Sequence, residues 1–128
     1  MVSNELVQSV GALYGLLAVV FGAFGAHTLK KKLTPEQLQS FETGVKYQMY
    51  HAILLVILGF VMDFEGKLQD LMAFSFILGT FLFSFSIYGL VLSSSAGRKL
   101  KFLGPITPLG GLLLVVGWAL LLFGALKS

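Results

Sequence analysis

The side chains in this 128-residue chain that could do chemistry are unevenly spread. His27 follows the run GAFGA. Tyr47, Gln48, Tyr50 and His51 stand together in KYQMYH, Ser84, Ser86 and Tyr88 in LFSFSIYGL, and Thr107 in GPITPLGG. Tyr47 and His51 are four residues apart, so a helix would put them on one face, and two histidines invite proton transfer or ligation. A zinc site needs at least three protein ligands. The chain has no cysteine, and its apolar stretches hold no carboxylate, so no metal is expected. Haem needs axial ligands on opposed helices, whereas a helical His27 points about 150° from the small-residue stripe described below. Hydrolysis at Ser84 or Ser86 lacks both an orienting carboxylate and a GxSxG turn. These residue types therefore predict no enzyme and no cofactor. The expectation is a hydrogen-bonded polar cluster in which His27 and His51 pair at the start of a helix.

Hydropathy sets the elements that must position the cluster. Hydrophobic residues make up 56%, charged ones 12%, and mean hydropathy is +0.88, outside the soluble range. Leu6 to Ala26, Leu71 to Leu92 and Leu103 to Leu126 contain no Asp, Glu, Lys or Arg. Each is long enough to cross a bilayer core of about 30 Å. With a shorter run, the predicted spans are 6–26, 47–62, 71–92 and 105–126, an all-α membrane four-helix bundle. The apolar run near the N-terminus is too long for a signal-peptide core and reads as a retained helix.

Basic residues orient the spans. Lys30, Lys31, Lys32 and Lys46 fall in the first loop, and Arg98, Lys99 and Lys101 in the third: seven of nine. Loops one and three are expected in the cytoplasm, with both termini outside. His27, Tyr47, Tyr50, His51, Ser84, Ser86, Tyr88 and Thr107 then gather at the cytoplasmic side. The pI near 9.3 points to an anionic membrane surface rather than nucleic acid, because the basic residues sit beside spans. Arg98, Lys99 and Lys101 precede a helix start and are the expected lipid headgroup contacts.

Gly11, Gly15, Ala18, Gly22 and Gly25 share one face of the first span. Ser75 and Gly79 begin a like stripe in the third, and Gly110, Gly117 and Gly124 recur at heptad intervals in the fourth. Small residues allow the close backbone approach that drives helix association in lipid, within a chain or between copies in a homo-oligomer. Adding 64 to the first stripe gives the third, but the loops do not align, which favours chance over duplication. Thr34, Pro35 and Gln37 form a capping-box start. An amphipathic segment over 34–46 is expected to lie at the interface and bend at Gly44 into span two, with one long helix from Thr34 to Met62 as the alternative. Pro105 and Pro108 imply either a helix start at Thr107 and Pro108 or a segment dipping into the membrane.

GAFGAH, KYQMYH, LFSFSIYGL and GPITPLGG, in this order over essentially the whole chain, resemble the signature segments of the domain of unknown function 423 family, related to the transmembrane protein 256 family. His27, Tyr47, Tyr50, His51, Ser84, Tyr88, Gly104, Pro105, Thr107, Pro108 and Gly110 match motif positions. Phe85 stands where family members often carry glycine, a departure that bears on packing at Ser84 and Ser86. The resemblance implies a four-span bacterial inner-membrane protein and transfers no catalytic role. The functional expectation is a structural, adaptor or lipid-interacting protein. The alternative is a small transporter or channel for a neutral or anionic solute, in which Tyr14 and Trp118 would turn their polar atoms toward a pathway.

Overall fold

The computed structural model describes residues 2–127, and among these it has four helices long and apolar enough to cross a membrane. Helix α1 covers Asn4–Leu29, α2 Pro35–Val61, α3 Lys67–Ser95 and α4 Ile106–Lys127. The helices begin and end where local chemistry satisfies their free backbone groups. Ser3 caps α1 by accepting from Leu6 N–H at 3.1 Å. Thr34 and Gln37 close the capping box of α2 with reciprocal bonds of 3.1 and 3.0 Å. Asn4 and Gln8 donate their amides to carbonyls at the C-terminal end of α2, reaching Gly59 and Met62 at 2.7–2.8 Å. The turn after α3 is a Schellman motif. Gly97 takes the left-handed conformation (φ 83°), and Arg98 N–H reaches back to the Ser93 carbonyl.

Helix α2 is continuous. The segment 34–46 does not form a separate interfacial helix, and Gly44 is not a bend. It is buried against α3, where an added Cβ would lie 2.8 Å from the Tyr88 ring, so its small size serves packing rather than chain reversal. Before α4 the chain makes a short 3-10 turn, Lys101–Leu103, and the helix then starts at Ile106. Pro108 lies in its first turn, where its missing N–H leaves no bond unmade.

The small-residue stripes pack α1 on α2 and α3 on α4. At Gly11 a Cβ would stand 2.9 Å from Val56, and at Gly79 3.0 Å from Leu114. Gly117 faces the Phe76 ring, and Gly110 lies directly on the Phe83 and Leu82 backbone. The stripes are thus consumed within the chain. Both odd-numbered spans also contain one π-helical turn, Phe21–Gly25 and Phe81–Phe85. These turns are 60 residues apart rather than the 64 of the stripe repeat.

Candidate functional site

The polar groups that join the four helices are centred on Gln48, a residue that polarity alone did not single out. It is fully buried, with thirteen residues of α2 on either side of it. A glutamine there is costly unless both ends of its amide are used. They are: Nε2 donates to the Tyr14 carbonyl of α1 at 2.8 Å, and Oε1 accepts from the Tyr88 hydroxyl of α3 at 2.7 Å. Tyr14 closes the circuit by donating its own hydroxyl to the Ile77 carbonyl of α3 at 2.7 Å. Three helices are therefore tied by one loop of bonds. The fully buried Ser84 adds another, donating to the Gly44 carbonyl at 2.7 Å.

The fourth helix joins through His51 and Ser86. Trp118 Nε1 donates to His51 Nε2 at 3.0 Å, and His51 Nδ1 lies 2.7 Å from the Tyr47 carbonyl. A carbonyl only accepts, so Nδ1 carries the hydrogen and Nε2 offers its lone pair; these partners assign the neutral Nδ1–H tautomer. The Phe76 ring packs beside both residues, with centroids 5.8 Å from His51 and 5.6 Å from Trp118. Ser86 and Thr107 share a hydroxyl bond of 2.5 Å between α3 and α4. Among the described residues, the buried Thr80 hydroxyl has no hydrogen-bond partner.

The structure places His51, Ser84, Ser86, Tyr88 and Thr107 of the expected cluster in these bonds between helices, keeps Tyr47 beside them with its ring stacked on His51 at 6.4 Å, and leaves His27 apart. His27 is exposed, and among the described residues no bond or ring contact joins it to His51. The histidine pair is not formed, because the imidazole of His51 is already used on both sides. Tyr47 and Tyr50 are 42% and 58% exposed and pack by their rings, Tyr47 against Phe83. The polar atoms of Tyr14 and Trp118 are spent on protein partners rather than turned toward a pathway. Arg98, Lys99 and Lys101 are exposed, and Lys99 shares a polar cleft with Glu36, Gln37 and Ser40. Glu36 is a carboxylate in the neighbourhood proposed for lipid phosphate, which weakens that site electrostatically.

Sequence reasoning left Gln48 out of the expected cluster and missed Asn4 and Gln8, because an amide neither titrates nor breaks an apolar run with charge. The usable signal was spacing: Gly44, Gln48 and His51 share one face of α2.

Comparisons with known proteins agree with this architecture. Residues 21–111, which hold both π turns and most of the network, match the family model described as "Protein of unknown function (DUF423)". A UPF0382 membrane protein of Staphylococcus aureus is 37% identical over 123 residues, covering 96% of this chain and 97% of its own. The UPF0382 membrane protein YwdK of Bacillus subtilis is 38% identical, covering 92% and 94%. One from Schizosaccharomyces pombe is 38% identical, covering 91% and 98%. No solved structure matches. With the family model spanning most of the chain and relatives aligned nearly end to end, this four-helix membrane protein belongs to the DUF423 family.

Proposed function

We propose that the protein is a rigid, non-catalytic body of a bacterial inner membrane, structural or adaptor-like, that works through its outer surfaces. One observation carries this reading: the side chains that could line a pathway or form a reaction centre bond to one another inside the bundle. Gln48, Tyr88 and Tyr14 form a loop across three helices, while His51 and Trp118 join the fourth. A transport route would need such groups free to exchange partners with solute or water. In this reading loops one and three face the cytoplasm, as their seven basic residues favour.

The absence of native cysteine makes a direct test practical. Ser84→Cys and Ser75→Cys place near-isosteric thiols at buried positions, and Ser95→Cys supplies an exposed control. A membrane-impermeant methanethiosulfonate reagent applied to each side of sealed vesicles should label Ser95→Cys alone. Labelling of Ser84→Cys at a comparable rate would replace this reading with the transporter or channel.

A further inference from the structure

Between the ends of α1 and α3 lies an open groove lined by Phe21, Phe24, Thr28, Leu29, Phe41 and Tyr88. Its floor is aromatic and fixed. The Tyr88 ring stands edge-on to Phe21 at 5.2 Å and tilts against Phe41 at 5.1 Å, while its hydroxyl is held by Gln48. The π turn Phe21–Gly25 forms one wall, and such widened turns commonly mark functional positions.

The end of the groove is strongly basic. Directly after Leu29 the chain turns through Lys30, Lys31 and Lys32, closed by bonds from Lys32 and Leu33 N–H to the Leu29 carbonyl at 2.9 Å. Leu33 is buried in the same cluster as Phe41 and Tyr88, so the turn is anchored to the groove it follows. All three lysines are exposed, and among the described residues none forms an ion pair. Three adjacent exposed lysines therefore follow directly on an apolar slot in a membrane protein. The other basic cluster differs in its surroundings, since Lys99 lines a polar cleft with Glu36 instead of following an apolar slot.

We infer that this groove, with the Lys30–Lys32 turn, is a binding site for one anionic phospholipid. An acyl chain lies along Phe21, Phe24 and Tyr88, and the phosphate is held by the lysines. Attraction of a basic residue to an anionic headgroup is worth about fivefold in affinity per lysine at the surface. The groove adds selectivity for a diacyl lipid over a free phosphate ester.

The test uses the full chain in nanodiscs of phosphatidylglycerol and phosphatidylcholine in equal amounts, released and weighed by native mass spectrometry. Wild type should retain phosphatidylglycerol preferentially. The triple change Lys30→Gln, Lys31→Gln, Lys32→Gln should reduce that adduct on the order of a hundredfold, three successive factors of about five, whereas Arg98→Gln, Lys99→Gln, Lys101→Gln should leave most of it. Thr28→Trp, at an exposed position, fills the groove with the lysines intact and should also remove the adduct. Equal losses from the two triple changes would mean diffuse charge attraction and overturn the site. Retention by a folded Thr28→Trp variant, or equally tight binding of glycerol phosphate alone, would overturn the role of the groove.

Discussion

At Gln48 a single side chain decides whether three helices share one arrangement. An amide both donates and accepts, so it can take the Tyr88 hydroxyl proton while giving its own to the Tyr14 carbonyl. Gln48→Leu keeps much of the volume and strands both partners, and should destabilise the protein by roughly 1–3 kcal/mol in a reversible detergent unfolding titration. Gln48→Glu should be milder at low pH, where the neutral carboxyl donates to the Tyr14 carbonyl and accepts from Tyr88, and should lose stability as pH rises and the buried group must ionise. A leucine variant as stable as wild type would remove the network from any part in holding the fold. His51 supplies a second residue-scale prediction. Trp118 is the single tryptophan, so its fluorescence reports the bond to His51 without background. His51→Ala should shift that emission, and a double-mutant cycle with Trp118→Phe should yield a coupling of about 1 kcal/mol. Additive losses would mean the contact has no energetic weight.

Between elements, contact distances separate glycines that are required from those that are tolerated. Gly110 meets the backbone of the π turn at Leu82 and Phe83, which cannot move aside as a side-chain tip would. Gly110→Ala should cost about 3 kcal/mol or prevent folding, as overpacking against an unyielding neighbour does. Gly15 has only the Ala52 methyl nearby, at 3.7 Å for an added Cβ. Gly15→Ala is expected to change the midpoint of thermal unfolding little, even though both glycines belong to stripes with helix-packing spacing. The capping box of α2 offers a milder perturbation: Thr34→Ala should cost about 1 kcal/mol. Its effect would appear first as faster amide exchange near Gln37, whose N–H bonds to the Thr34 hydroxyl.

For the whole molecule, apolar stretches, basic-residue positions, capping residues and glycine spacing are local quantities that a chain displays before it folds. They revealed four long apolar helices, the α2 start and the small faces that pack α1 on α2 and α3 on α4. They also brought His51, Ser84, Ser86, Tyr88 and Thr107 to notice, by polarity inside apolar runs. Choice of hydrogen-bond partner is not local. His51 bonds to Trp118, 67 positions away, instead of His27, and Gln48 reaches Tyr14 and Tyr88 because close approach at Gly11 (α1 on α2) and at Gly44 (α2 on α3) leaves gaps that one amide can span. The π turns were equally hidden, since FLFSF carries neither glycine nor proline and the glycines of FGAFG fit the spacing of the packing stripe. Sequence alone thus determined which segments leave water and which faces are small enough to meet, because burial free energy and steric size belong to individual residues. Only the tertiary structure decided which polar atoms satisfy one another, because a hydrogen bond depends on the positions of two groups at once.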